Sequence, residues 1–146
     1  MAAEGRTDRG DTLVLSEIYY RIHNKISGRD TGASPSAGIW HDMVRNEAVE
    51  LCRDRKGRLL DLGCGEGLFI CKIQKINPDL HITGLDINPA QINRIRSVSK
   101  KNPDRLELLC GDMLDPELLS SGFDTVVCLN TFFNLHSFSE VQKILH

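Results

Sequence analysis

The sequence predicts an α/β fold with a doubly wound, mainly parallel sheet. Short apolar runs of strand length alternate with segments of helical periodicity, which is typical of βαβ units. A glycine-rich turn joins the first run to a helix, and the pairs Asn77-Pro78 and Asn88-Pro89 end one helix and begin the next. At 146 residues the chain is about one domain long.

The first 57 residues precede the predicted sheet. The polar, charged start of the chain predicts a disordered tail. Apolar spacing predicts an amphipathic helix from Thr12 to Ile26, turn-forming residues predict a loop after it, and a second helix runs from about Ile39 to Arg53. We expect the inner face of this second helix to contain Trp40, Met43, Val44, Glu47, Ala48 and Leu51. The expected division is a tail (1–11), a helical segment (12–57) and the sheet domain (58–146).

Four strands and three helices are expected in the sheet domain. The predicted strands are Arg58–Leu62, Leu80–Ile87, Arg105–Cys110 and Phe123–Leu129. The predicted helices run from Leu68 to Ile76, from Pro89 to about Lys101, and onward from a capping box at Ser137-x-x-Glu140.

Composition and charge disfavour several classes of protein. A formal net charge of -2 gives no reason to expect nucleic acid or anionic membrane as a partner. No apolar run approaches the roughly 18 residues of a membrane span, and the polar start lacks a signal-peptide core, so the cytoplasm is expected. The odd number of cysteines and the absence of C-x-x-C spacing argue against disulfides and zinc, and favour small buried hydrophobic residues. These cysteines are Cys52, Cys64, Cys71, Cys110 and Cys128.

The glycine turn after the first strand, Gly63-Cys64-Gly65-Glu66-Gly67, is the strongest chemical signal. Alone it fits a structural turn equally well, but its position between a strand and a helix favours a nucleotide site. A dinucleotide site needs a small residue at the position of Leu68. Asp61, two residues before the first glycine, would repel a pyrophosphate and attract an ammonium or sulfonium group. The turn therefore argues against NAD and for a zwitterionic amino-acid nucleotide.

Four stretches together resemble class I S-adenosylmethionine-dependent methyltransferases. The stretch from Leu59 to Gly67 (LLDLGCGEG) resembles motif I of that family. Gly84–Asn88 (GLDIN), Cys110–Met113 (CGDM) and Phe123–Asn130 (FDTVVCLN) resemble the ends of its second, third and fourth strands. The resemblance covers roughly residues 58 to 135. It implies the Rossmann-like methyltransferase fold with strand order 3-2-1-4, S-adenosyl-L-methionine as cofactor, and in-line methyl transfer from the sulfonium to an acceptor.

The resemblance also implies roles for individual residues. Asp86 would accept hydrogen bonds from the ribose hydroxyls, Ile87 and Met113 would enclose the adenine, and Asp112 would accept from its amino group. The backbone of Gly63 and Gly65 would lie along the methionine portion, with Leu129 and Asn130 below it. The implied cofactor-binding residues are Asp61, Gly63, Cys64, Gly65, Asp86, Ile87, Asp112, Met113 and Asn130.

Structural alternatives stay open for several of these residues. Asp86 would also suit a helix N-terminus, Ile87 and Met113 would suit the core, and Asp112 and Asn130 would suit turns. Trp40 is interpreted as a core residue rather than a cofactor cover. His136 is interpreted as a surface or packing residue, so no catalytic side chain and no metal ligand is predicted.

The family's sheet has seven strands, and four are found here. We therefore expect a fragment, truncated after the fourth strand, of a larger enzyme. The alternatives are completion by a partner chain or a dimer through the open edge of the fourth strand, and a short noncatalytic S-adenosylmethionine-binding module or partner subunit. A small-molecule methyl acceptor is expected. A nucleic-acid partner rests only on the basic residues Arg94, Arg96, Lys100 and Lys101, which a solvated helix face explains more simply.

Overall fold

A computed structural model describes residues 39–99, 103–115, 117–118, 122–131, 135 and 137–145. All of them lie in the unit Gly38–His146, one of two into which the chain divides. The predicted tail, the helix from Thr12 to Ile26 and the loop after it lie outside the described residues. So do His136, Lys100, Lys101 and the side chain of Trp40.

Strands and helices alternate through the described part of the chain. The helices are α1 (Ile39–Cys52), α2 (Leu68–Ile76), α3 (Pro89–Val98) and α4 (Phe138–Leu145), and the strands are β1 (Arg58–Leu62), β2 (His81–Asp86), β3 (Leu106–Cys110) and β4 (Thr125–Val127). A 3-10 turn, Pro103–Arg105, precedes β3. Each predicted strand is present, although β4 is shorter than the predicted Phe123–Leu129.

The four strands form one sheet in the order β3-β2-β1-β4. Every neighbouring pair is parallel, and Asp61 of β1 lies in register with Gly84 of β2 and Val127 of β4. The predicted fold class and strand order are therefore confirmed. The order along the sheet reverses between β1 and β4, and in open α/β sheets ligands bind outside the carboxyl ends of the strands at such a point.

The two faces of the sheet bury different side chains because successive strand residues point to opposite sides. Leu59 of β1 packs in a cluster with α1, α2 and α3. On the other face, Leu60 and Leu62 pack with Leu85 of β2 and with partly buried residues that include Met113. By alternation Asp61 lies on the same face as Leu59, beneath the helices.

The predicted inner face of α1 is wrong in part. Met43 and Leu51 are 60% and 66% exposed, whereas Arg45, Val49 and Cys52 are buried. Of the predicted set, Ala48 packs against the core cluster. The buried face includes the charged residue Arg45. A search for apolar periodicity does not find such a residue because it considers only apolar side chains.

The predicted starts of α2, α3 and α4 are confirmed. Asn88 caps α3, with its side-chain oxygen accepting from the Ala90 N–H at 2.9 Å, and Pro89 occupies the first turn. The Ser137 hydroxyl accepts from the Glu140 N–H at 3.3 Å at the start of α4.

Two further features of the described residues concern the cysteines and the helix lengths. All five cysteines are free, but Cys110 is exposed, so the expectation that each is a buried hydrophobic residue is wrong there. Cys110 ends β3 at the carboxyl edge of the sheet, where solvent reaches it. Within the described ranges, no helix combines the length and the apolarity that crossing a membrane requires.

Candidate cofactor site at the carboxyl edge of the sheet

The glycine loop leaves β1 and is fixed at once to β2. The backbone N–H groups of Gly63 and Cys64 both donate to the carbonyl oxygen of Leu85, at 2.8 and 3.0 Å. Gly63, Gly65 and Gly67 have φ values of 71°, 52° and 72°. A side chain at these positions would strain the backbone, so the loop conformation requires its glycines.

Gly63 also lies against Thr131, which follows β4. An added Cβ on Gly63 would lie 2.3 Å from Thr131 Oγ1. The buried Thr131 hydroxyl lies within hydrogen-bond distance of three carbonyl oxygens, those of Leu129 (3.1 Å), Leu62 (3.3 Å) and Gly63 (3.4 Å). Sequence reasoning missed Thr131 because a threonine after a strand carries no distinguishing pattern. It joins the ends of β1 and β4 at the point where the strand order reverses.

Gly65 faces open space. Apart from its two chain neighbours, no atom of the described residues lies within 4 Å of a Cβ built on it, in contrast to Gly63. Its N–H donates to Asp86 Oδ2 at 2.8 Å, and Asp86 Oδ1 accepts from the Asn88 N–H at 2.9 Å. Asp86 thus has the structural role at the start of α3 that the sequence offers as an alternative to ribose binding. A carboxylate accepts about four hydrogen bonds, so these two bonds leave room for ligand hydroxyls.

Asp61 is a buried carboxylate with an unsatisfied oxygen. The residue is 2% exposed, and its Oδ2 has no hydrogen-bond partner among the described residues. Burial, reinforced by the negative charge of Asp86 and opposed by Arg45, raises the pKa of Asp61 to about 7. Burial also raises the pKa of Asp86. A buried carboxylate and a half-buried one, at the ends of neighbouring strands, make this edge of the sheet a favourable place for a ligand cation.

Arg45 supplies a buried positive charge on α1 that the sequence reasoning did not identify. It is 6% exposed, and its Nη1 lies 2.5 Å from Asp42 Oδ1. An arginine three positions after an acidic residue is common on exposed helix faces. It becomes informative only when the structure shows that the arginine is buried.

The remaining predicted site residues lie at the same edge but differ in role. Ile87 is 42% exposed, which excludes a core role, whereas Met113 packs against the Leu60 cluster. The Asp112 side chain accepts from the Leu114 N–H at 2.9 Å, as its turn alternative requires. Asn130 has a φ of 58°, which is also a turn conformation. Their contacts with a cofactor stay predictions.

Cys64 takes part through its backbone rather than its side chain. The residue is buried, and burial is the main cause that raises its thiol pKa. Its Sγ lies 3.2 Å from the position of a Cβ on Gly84, so a larger residue on β2 would displace it. Any contact of Cys64 with a ligand would therefore be made by the main chain.

Of the four basic residues considered for a nucleic-acid partner, the structure describes the two arginines on α3. Both have partners within the protein. Arg94 Nη1 lies 3.2 Å from the buried carboxylate of Glu66, and Arg96 donates to the Leu108 carbonyl oxygen at 3.2 Å. In the residues that the structure covers, no group of three or more His, Cys, Asp or Glu side chains is placed to hold a metal ion.

Comparison with known proteins identifies the family. A family model described as a methyltransferase domain matches residues 59–146. The chain is 30% identical over 78 residues to a tRNA (guanine-N(7)-)-methyltransferase from Rubrobacter xylanophilus, covering 51% of this chain and 35% of that protein. It is 24% identical over 142 residues to a demethylmenaquinone methyltransferase from Deinococcus radiodurans, covering 96% of this chain and 59% of that protein.

A solved structure supports the same conclusion. It is the S-adenosylmethionine-bound CalS10, an amino pentose methyltransferase from Micromonospora echinaspora, with 25% identity and a TM-score of 0.55 over 99% of this chain and 52% of CalS10. The chain thus spans less than two thirds of each of these relatives. It belongs to the methyltransferase-domain family and has the Rossmann-like fold of class I S-adenosylmethionine-dependent methyltransferases.

Proposed function

We propose that this chain binds S-adenosyl-L-methionine at the carboxyl edge of the sheet, and that the protein transfers its methyl group to an acceptor. The observation that carries the proposal is the pair of carboxylates beside the glycine loop, the buried Asp61 and the half-buried Asp86. The open space beside Gly65 and the unsatisfied Asp61 oxygen fit a ligand with an ammonium group.

Each part of the edge would hold a different part of the cofactor. Asp86 would accept hydrogen bonds from the ribose hydroxyls, and Asp61 would face the ammonium group. The exposed Ile87 and the partly buried Met113 would enclose the adenine. The main chain from Gly63 to Gly65 would follow the methionine portion. When bound, S-adenosylmethionine supplies a methyl group already activated by its sulfonium, so the protein chiefly positions the reactants and excludes water.

A small molecule is our proposed methyl acceptor. The net charge of -2 and the internal partners of Arg94 and Arg96 disfavour a nucleic-acid surface on α3. Similarity to the demethylmenaquinone enzyme extends over 96% of the chain, against 51% for the tRNA enzyme. Incubation with methyl-labelled S-adenosylmethionine and separated tRNA, protein and small-molecule fractions tests this choice. Label in the small-molecule fraction supports it, and label confined to tRNA or protein contradicts it.

Other features support our proposals for the partner and the compartment. The backbone edge of β4 lies at one side of the described sheet, and Val126 is 56% exposed, so we propose that a second copy or a partner chain pairs there. Free cysteines favour a reducing compartment, and we propose the cytoplasm. Sedimentation of the wild-type chain over a range of concentrations tests the pairing; a monomer throughout, with no partner retained from an extract, contradicts it.

Binding and catalysis are separated by one pair of measurements. Titration with S-adenosylmethionine, followed by calorimetry, tests the cofactor site. Release of S-adenosylhomocysteine in the presence of a cell extract tests transfer. Binding without release at any extract concentration would favour the noncatalytic module over the enzyme.

A further inference from the structure

We propose that Thr131 is a positioning residue of the cofactor site, whose hydroxyl group holds the start of the glycine loop in the conformation that the cofactor needs. Thr131 acts through the main chain of Gly63 and not by contact with the ligand. This inference rests on the proposed function, because Gly63 begins the stretch that would follow the methionine portion of S-adenosylmethionine.

The place for such a residue arises where β1 and β4 separate. Backbone pairing between the two strands ends with Asp61 and Val127. Leu62, the last residue of β1, lies beyond that pairing. The strand order reverses between these two strands, so their separating ends border the crevice in which open α/β sheets bind their ligands.

The Thr131 hydroxyl connects the two chain segments beyond the end of that pairing. Its Oγ1 lies 3.3 Å from the carbonyl oxygen of Leu62 and 3.4 Å from that of Gly63, which are consecutive carbonyls at the start of the loop. It also lies 3.1 Å from the carbonyl oxygen of Leu129, which follows β4. A hydroxyl group has one proton to donate, so the three carbonyl oxygens share a single donor.

The start of the loop is thus held from two sides. Toward β2, the N–H groups of Gly63 and Cys64 donate to the Leu85 carbonyl oxygen at 2.8 and 3.0 Å. Toward β4, the methyl group of Thr131 packs against Gly63 in addition to the hydroxyl, since its Cγ2 lies 2.3 Å from the position of a Cβ there. Removal of the hydroxyl alone would therefore release one side of the loop and leave the packing in place.

The rival explanation is that the hydroxyl only adds to the overall stability of the sheet. Thr131 is 9% exposed, and the carbonyl oxygens would lose this donor if the hydroxyl were removed. Thr83 on β2 is a matched residue because it is 5% exposed and its hydroxyl donates to Glu107 at 3.2 Å. Its hydroxyl bond joins β2 to β3 and does not involve the loop.

Cofactor affinity in four chains separates the two explanations. They are the wild type, Thr131→Val, Thr131→Ser and the control Thr83→Val, each titrated with S-adenosylmethionine by calorimetry. We expect Thr131→Val to bind about three- to tenfold more weakly, the effect of one lost hydrogen bond. Thr131→Ser keeps the hydroxyl and should restore most of the affinity. Thr83→Val should bind as the wild type does even where its free energy of unfolding falls.

Hydrogen exchange in the ligand-free chains tests the route through the main chain. In Thr131→Val the amide protons of Gly63 and Cys64 should exchange about three- to tenfold faster, whereas the amides within β2 and β3 should keep their wild-type rates. Uniform acceleration across the sheet would show a general loss of stability and would contradict the positioning role.

Several results overturn the assignment. They are wild-type affinity in a folded Thr131→Val chain, equal weakening in Thr83→Val, and no recovery in Thr131→Ser. Weaker binding with unchanged exchange at Gly63 and Cys64 also overturns it, since the hydroxyl would then contact the ligand directly. Should Thr131→Val fail to fold by circular dichroism, Thr131→Ala compared with Thr131→Ser gives the same contrast, because these two differ by the hydroxyl alone. A folded wild type that does not bind S-adenosylmethionine overturns the proposed function and this inference with it.

Discussion

The backbone N–H of Gly65 donates a 2.8 Å hydrogen bond to Oδ2 of Asp86, residues that lie 21 positions apart in the chain. This bond joins the loop after β1 to the end of β2. A second bond, from the Asn88 N–H to Oδ1, joins the same carboxylate to the start of α3. Asp86 therefore holds the glycine loop and the start of α3 in place before any ligand binds. Its substitution should affect both the order of these segments and the affinity for the cofactor.

Asp86→Ala should weaken S-adenosylmethionine binding by about 1–3 kcal/mol, because charge-assisted hydrogen bonds to the ribose are lost. Calorimetric titration measures the change. Asp54→Ala, at an exposed aspartate after α1, is the control and should bind as the wild type does. Unchanged affinity in a folded Asp86→Ala chain would argue against the ribose role.

Ile87→Ala should weaken binding with little effect on stability. The side chain is 42% exposed, so its removal leaves no internal cavity, but it removes an apolar wall worth about 1 kcal/mol. Val98→Ala, at an exposed position on α3, is the matched control. Loss of stability without loss of affinity would instead show that Ile87 serves the fold.

The loop glycines should differ in their tolerance of a side chain. Gly63→Ala places a Cβ 2.3 Å from Thr131 Oγ1 and should destabilise the fold by more than the ~1–2 kcal/mol of backbone strain. The Cβ of Gly65→Ala meets no atom within 4 Å in the part of the chain that the structure describes, chain neighbours aside, and the change should cost only that strain. Urea unfolding of both variants measures the difference, and equal free energies of unfolding would contradict the packing of Gly63 on Thr131.

The buried carboxyl of Asp61 should make stability fall as pH rises. Its pKa is about 7 in the folded chain and near 3.8 in the unfolded chain. Between these values the folded state holds a proton that the unfolded state has released, so raising the pH favours unfolding. Over this window the effect is on the order of 4 kcal/mol.

Comparison of the wild type with Asp61→Asn isolates this effect, since the pKa of Asp86 is also raised and acts in the same direction. Free energies of unfolding are measured from pH 4 to pH 8. The difference between the two chains should grow in favour of Asp61→Asn as the pH increases. A constant difference across the range would show that Asp61 ionises normally in the folded state.

Much of the fold was predictable because local signals agreed with one another. The Asn88-Pro89 pair fixed the start of α3, and the glycine loop fixed the junction of β1 and α2. The length of β4 was overestimated because its pairing with β1 covers only Thr125 to Val127, and periodicity does not report where pairing ends.

The candidate site was predictable where residues lie in the last positions of a strand, as Asp61 and Asp86 do. Arg45 and Thr131 were missed for a common reason. Each acquires its place through tertiary contacts, Arg45 through the packing of α1 on α2 and Thr131 through its approach to Gly63. The opposite error occurred for Met43 and Leu51, which are apolar but exposed.

Titration of the folded wild-type chain with S-adenosylmethionine tests the cofactor site most directly. We expect saturable binding with one ligand per chain and an increase in the free energy of unfolding, about 2.7 kcal/mol at a ligand concentration one hundred times the Kd. A folded chain that shows neither heat of binding nor stabilisation at millimolar ligand would contradict the assignment of this edge as a cofactor site.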